Sequence, residues 1–495
     1  MSASFHSIHQ DEIDGVPTYW MDVPGPLSAA LIFRVGRADE IPARYGITHL
    51  VEHLALAPLG VQDYEHNGGV ESLRTVFEVA GSRADVARFL ADITHSLSAL
   101  PTSRLLIERA IIRREADENG RSLGDALRGY RFGGIGFGAT AEDEHGIHWL
   151  GEELVRQWAD ENFNRRNAAL VLSGPPDDIR IGLPDGEPRP LAPPSSLPGL
   201  QLPAYVRWDA PAVAITYVTP RTPAANMVAN ILHRRMRARL RFDIGAVYDV
   251  NFDYDRAGPD EAHVGFATET DERQTDRVLR LMLELIDEFA SKGPTPEELA
   301  YEVTSLKRNL ELDDGRLGYM FEIAFDQLLG RPERDPEDLV REREAVTPDG
   351  ARDMIRPALD TLMAFAGVED PAPARLTLLS EWSSDEVQGE TYSPSGFHMP
   401  GRGPKARLIV GQEGVTLRLS QTERLTVRYA DMLAVIHEGD ARQLVGIDAI
   451  KITIDAADWR NGPQAIALID AATPQRAFAC TSHADGGLED PEGRT

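Results

Sequence analysis

Only one cysteine, Cys480, stands in 495 residues, so no disulfide can form within the chain. Lysine is almost as scarce, with four residues against 47 arginines. Basic residues as a class fall short of acidic ones, 51 to 79, leaving a net charge of −28. That balance repels nucleic acid and anionic lipid and favours solubility. No apolar run approaches the roughly 18 residues that a membrane span requires. The start, MSASFHSIHQDEIDG, lacks the basic and apolar stretches of a secretion signal. Together these absences predict a cytoplasmic protein with no membrane span and no nucleic-acid partner. The bias toward arginine reads as the mark of a GC-rich bacterial genome.

What is present describes a globular chain. Hydrophobic residues make up 42% and charged residues 26%, and the length calls for several domains. Two proline-rich stretches divide it, because proline at such density continues neither a helix nor a central strand. The predicted pieces are 1–185, a linker at 186–204, 205–382, a second linker at 383–405, 406–482, and a disordered acidic tail at 483–495. The first two pieces read alike. Each opens on a strand, LSAALIFRVG or APAVAITYVT. Each then alternates β-rich runs with amphipathic helices, among them one with Val86, Phe89, Leu90 and Ile93 on a face and one with Val278, Leu281, Leu285 and Phe289. Thr295 with Glu298 forms a capping-box pattern. The expectation is a duplicated α+β unit.

The third piece changes period. Val415, Leu417 and Leu419, then Ile450, Ile452 and Ile454, alternate with polar residues as half-buried strands do, and GQEG between two such runs is a turn signal. A small antiparallel barrel or sandwich is expected, faintly similar to a pleckstrin-homology barrel.

The chemistry concentrates in GITHLVEHLAL, residues 46–56. On a helix, His49 and His53 stand one turn apart on one face and Glu52 lies beside them. This is the inverted H-x-x-E-H arrangement, in which the histidines hold zinc and the glutamate acts as base. Alone, the pattern fits a buried helix with satisfied histidines equally well. Two histidines and one further ligand would leave a fourth position for water. In IERAIIRREADE, Glu108 and Glu115 are two helical turns apart and become candidates. The run EDEHGIHWLGEE, with His145 and His148, reads as a solvated loop leading into a helix.

With these motifs the first piece resembles the catalytic domain of the pitrilysin/insulinase family of zinc peptidases, which includes the mitochondrial processing peptidase. The match runs from GVPTYW through FRVGRADEIPARYGITHLVEHLAL, with its Gly, acidic residue and Gly before the motif. It continues through IERAIIRREADE to LVRQWADENFNRRNAALVLSG. The resemblance implies that His49, His53 and Glu115 bind one Zn²⁺ per chain, that Glu52 is the general base, and that Glu108 supports the site without binding metal. In the second piece LRFDIGAVYDV resembles the family's L-R-x-x-x-G-x-x-Y run, which implies that Arg241 and Tyr248 stabilise the substrate carbonyl from a partner half. It further implies two homologous peptidase-like α+β domains, a peptide substrate, and a homodimer closing a chamber, with a heterodimer with a related subunit as the variant form. Two departures stand out. The interval from His53 to Glu115 is short, so that Glu71 or Ser72 falls where the family's edge strand carries asparagine. The third piece is an addition. A catalytically silent assembly or regulatory subunit is the alternative function.

Overall fold

The computed structural model describes residues 8–479 except 120–122, 192–193, 195, 198, 208–209, 332–333, 368–375, 381, 397–404, 449 and 475–476. The stretch 483–495, expected to be a disordered tail, lies outside the described residues, as does Cys480.

Near the start of the chain, β1 (His9–Ile13), β2 (Val16–Trp20) and β3 (Leu27–Phe33) lead into the helix α1 (Ile47–Leu56). The hairpin β4 (Glu65–Val70) and β5 (Thr75–Gly81) follows, then α2 (Arg83–Ser98), α3 (Leu105–Asn119), α4 (Leu123–Phe132), α5 (Glu152–Asn162) and β6 (Ala168–Leu172). The strands form one sheet in the order β1-β2-β6-β3-β5-β4. Its central strands are apolar on both sides, because both faces are covered. Leu31, Phe33, Leu170 and Leu172 point to the core that holds α1, α2 and α5. Their neighbours Ile32, Ala169 and Val171 point the other way.

The second unit repeats the plan. It comprises β7 (Ala204–Arg207), β8 (Ala212–Pro220), α6 (Pro223–Arg237), β9 (Asn251–Arg256) and β10 (Glu261–Glu269). The helices α7 (Thr275–Lys292), α8 (Pro296–Glu311), α9 (Asp313–Leu328), α10 (Pro336–Glu344) and α11 (Pro348–Leu359) follow, then β11 (Met363–Ala366) and β12 (Thr377–Leu378). The sheet order β12-β7-β11-β8-β10-β9 matches the first strand for strand. Both sheets share a parallel pair, β2 with β6 and β7 with β11, followed on the β3 or β8 side by antiparallel neighbours. The outermost pair differs: β1 runs antiparallel to β2, whereas β12 runs parallel to β7. The expected capping box is formed, with Glu298 N donating to Thr295 Oγ1 at 3.2 Å and Thr295 N to Glu298 Oε2 at 2.8 Å.

The two units exchange helices. From the second unit, α9 places Met320, Ile323, Ala324 and Phe325 on the outer face of the first sheet. From the first, α4 places Leu127 against Val206, Ala214, Met363 and Phe365 of the second, while Arg131 donates to Thr216 O at 3.3 Å. Each apolar side chain so buried contributes on the order of 2 kcal/mol.

The third unit holds β13 (Gly389–Tyr392), β14 (Arg407–Gly411), β15 (Gly414–Arg418), β16 (Arg424–Arg428), β17 (Met432–Glu438), β18 (Ala441–Gly446), β19 (Lys451–Asp455), α12 (Gly462–Ala472) and β20 (Ala477–Ala479). Of the two forms expected, barrel or sandwich, the described strands do not make a closed barrel. They form two four-stranded sheets, β13-β14-β15-β16 and β19-β18-β17-β20, around a shared core that includes Leu408, Leu417, Val435, Ile452 and Ile469. The GQEG turn joins β14 to β15, and β13 falls within 383–405. Among the described residues no helix is long and apolar enough to cross a membrane.

Candidate metal centre

Gly46 opens α1 in the left-handed region, at φ +90°, where glycine alone is unstrained. A Cβ there would also lie 2.7 Å from Ile147 Cγ2 and 2.8 Å from Glu144 Cβ. The first free amides of the helix are satisfied from a distance. Buried Glu40 accepts from Gly46 N at 2.8 Å and Thr48 N at 2.9 Å. Burial first, and the neighbouring Glu144 charge second, push the Glu40 carboxyl up to about 7. The apolar face of α1, Ile47, Leu50, Val51, Leu54 and Ala55, fills the core. Trp158 Nε1 donates to Thr48 Oγ1 at 3.1 Å and fixes the helix further.

The opposite stripe carries the histidines. Their Nε2 atoms are 3.1 Å apart. Each Nδ1 meets a carboxylate: His49 with Glu144 Oε2 at 2.9 Å and His53 with Glu108 Oε2 at 3.3 Å. A carboxylate accepts, so each imidazole donates through Nδ1–H and keeps a bare lone pair on Nε2. Glu115, two turns from Glu108 on α3, brings Oε2 to 3.5 Å from His49 Nε2 and 3.6 Å from His53 Nε2. With both imidazoles neutral, three electron-pair donors converge at one point, an arrangement suited to a cation. His49, His53 and Glu115 are the one such group of metal-ligating side chains among the described residues.

The donor set fits zinc. Two nitrogens and a carboxylate oxygen suit Zn²⁺, and two ligands of a tetrahedral zinc stand roughly 3.3 Å apart. Glu115 is 42% exposed and lines the cavity with the two histidines. Burial alone would depress the His49 pKa, but the Glu144 hydrogen bond and the surrounding carboxylates outweigh it and raise it. Glu52 Oε2 lies 3.9 Å from both Nε2 atoms. Burial raises its pKa, and the two histidines oppose the rise.

The structure therefore brings His49, Glu52, His53, Glu108 and Glu115 together. It does not bring Arg241 and Tyr248 to them within the chain. Arg241 lies in a widened turn after α6, pairs with Asp249 at 3.4 Å and stacks over Tyr248 at 5.0 Å. Tyr248 is 86% exposed, and neither residue lines the cavity at the histidines.

Two sequence expectations need correction. The edge strand is present as β4, and its asparagine is Asn67, not a residue at Glu71 or Ser72, which form the turn after it. Asn67, Gly68 and Gly69 line a cavity of about 330 Å³ with the histidines. The run 142–153 is not a solvated loop. Gly146, Ile147 and Leu150 are buried and Glu144 holds His49. Glu144 was the residue missed; it stands far from the motif in a run without periodicity.

Arg37 and Val70 also line a second, larger cavity of about 1270 Å³ between the units. It is walled by both outer strands, β4 at Val70 and β9 at Asn251–Arg256.

Comparison with known proteins places the fold. No family model and no curated protein matches the sequence. Solved structures do match. A peptidase M16 inactive domain from Pseudomonas fluorescens superimposes at TM-score 0.57 and 13% identity, covering 73% of this chain and 98% of that one. A protease from Helicobacter pylori gives 0.61 and 12%, covering 73% and 99%. The first half of the periplasmic protease PqqL from Escherichia coli gives 0.56 and 14%, covering 72% and 91%. At such identity the likeness is one of fold. These three structures leave about a quarter of this chain unmatched.

Proposed function

We propose that the chain is a cytoplasmic zinc endopeptidase acting on peptides or unfolded segments. The observation that carries this reading is the convergence of two imidazole Nε2 atoms and Glu115 beside buried Glu52, in a cavity under the sheet edge β4. His49, His53 and Glu115 would hold the ion, which when bound supplies Lewis-acid polarisation of a water and of the scissile carbonyl.

The remaining steps belong to the chain. Glu144 and Glu108 hold the imidazoles in one tautomer and one orientation. Glu52 takes the proton of the attacking water and passes it to the leaving amine. The edge β4 offers unpaired backbone groups to which an extended peptide adds as a further strand, which sets its scissile bond beside Glu52. The test is to measure zinc content and cleavage of an unfolded-peptide library by the wild-type protein. One zinc per chain with cleavage supports the reading, and absence of zinc sinks it.

Gly68 faces Glu52 from β4, and a Cβ there would lie 2.3 Å from Glu52 Oε1. Gly68→Ala is thus expected to keep zinc and lower kcat roughly 10²-fold, the cost of misplacing a reacting group by about 1 Å. Unchanged kcat would show that Glu52 has slack.

Arg241 and Tyr248, remote from this chain's own cavity, are assigned to the site of a second copy in a two-fold dimer. Chains carrying Glu52→Gln and chains carrying Tyr248→Phe should each be inactive alone. Mixed, they should recover about a quarter of the sites by random pairing in a two-fold dimer. No recovery in a demonstrated mixed dimer would remove the assignment.

The alternative, a catalytically silent assembly or regulatory subunit, draws on the likeness to an inactive domain. The intact set of His49, Glu52, His53 and Glu115 weighs against it.

A further inference from the structure

The third unit touches the first at one place of consequence. Between α4 and α5 runs the connector 133–151, which carries Glu144, the carboxylate that orients His49. The unit comprising β13–β20 grips this connector at several points. Gly134 N donates to Ile447 O at 3.0 Å. Lys451 Nζ lies 2.8 Å from Glu142 Oε2 and 3.8 Å from Asp143 Oδ2. Trp149 packs with Leu433 against Ala434, Ile436 and Val445 of β17 and β18.

The approach is built in at the backbone. Gly133 has φ +75°, and a Cβ on it would lie 2.3 Å from Ile447 O; one on Gly134 would lie 2.6 Å from Leu433 Cδ1. Two glycines in succession are what permit the contact.

From the gripped connector, contacts lead to the metal centre by two routes. Arg37 Nη2 donates to Glu142 O at 2.9 Å, and Arg37 Nε lies 3.7 Å from Glu144 Oε1. Tyr45, the residue before the Gly46 that opens α1, donates its hydroxyl to Gly134 O. Glu142 is the pivot. Its side chain is 2% exposed and its cation comes from the third unit. A buried carboxylate stripped of its cation must move or take up a proton, and either response disturbs the backbone two residues before Glu144.

We infer that the third unit is a positioning module for the metal centre, acting through Lys451 and the Ile447 carbonyl on the connector that aims Glu144 at His49. Lys451 touches neither metal nor substrate, so it is a positioning residue. The inference rests on the proposed metal site, and it assigns the added unit a part in holding that site.

The test is a double-mutant cycle on the full chain, read as Zn²⁺ affinity by chelator competition. Glu144→Gln and Lys451→Met are each expected to weaken affinity, the second on the order of tenfold, within the range for loss of a partner behind a ligand. Because they act in series, the double variant should be little worse than Glu144→Gln alone. Lys451→Arg should restore affinity. Arg424→Met, which removes an ion pair to Glu386 inside the third unit, should leave it unchanged. Thermal melts show whether each variant is folded. Wild-type affinity in folded Lys451→Met, or full additivity in the double variant, would overturn the inference and leave the metal site standing. Absence of zinc binding by the wild type would remove both.

Discussion

Glu52→Gln is expected to retain one zinc per chain and a native melt while lowering kcat by two to four orders of magnitude, about 3–5 kcal/mol in the barrier. The substitution is nearly isosteric. It keeps the side chain beside Gly68 and leaves His49, His53 and Glu115 in place. It removes only the capacity to accept a proton. Glu52 is suited to that task because burial lifts its pKa while the two imidazoles oppose the rise. The measurement is zinc content beside kcat and KM on one peptide cleaved by the wild type. Activity within threefold of wild type would remove Glu52 from the role of base. Zinc in both proteins with cleavage in neither, across a broad library, would direct the search to a missing partner subunit.

Glu115→Ala should lose metal outright. His49 and His53 then stand as the only ligands, so affinity should fall by more than the roughly 10–100-fold attached to a supporting partner. Binding to the folded state alone stabilises by about 2.7 kcal/mol when free metal is a hundredfold above Kd. A chelator should therefore lower the wild-type Tm by several degrees and abolish cleavage, and added zinc should restore both. The melt of Glu115→Ala should not respond to chelator. Full zinc content in Glu115→Ala would mean that another carboxylate, Glu52 or Glu144, completes the ligand set.

These expectations rest on positions that differ in how well the sequence announces them. The spacing of His49 and His53, and of Glu108 and Glu115, is helix arithmetic, and the folded helices α1 and α3 place all four as the spacing implies. The doubling of the α+β plan was visible in paired opening strands and amphipathic helices. Glu144 was not visible, because it reaches His49 from a connector without periodicity, held by contacts from distant parts of the chain. Asn67 was misplaced because HNGG, with two glycines and little β-branched character, does not read as a strand. Pairing with β5 makes it one. In the third unit, alternation of Val415 with Leu417 and of Ile452 with Ile454 marked strands. It carried no information on closure, which depends on pairings between distant strands.

The exchange of α4 and α9 bears on how the chain acquires its structure. During synthesis, the first sheet is complete once β6 emerges, yet one of its faces stays bare until α9 follows well over a hundred residues later. Leu127 waits longer still for Phe365. Contacts of such sequence separation are slow to form, and an uncovered sheet face is prone to aggregate meanwhile. Neither half is then a self-sufficient folding unit. A peptide-bond cut in the proline-rich stretch between them should leave two fragments that remain clasped and, once separated, do not refold alone.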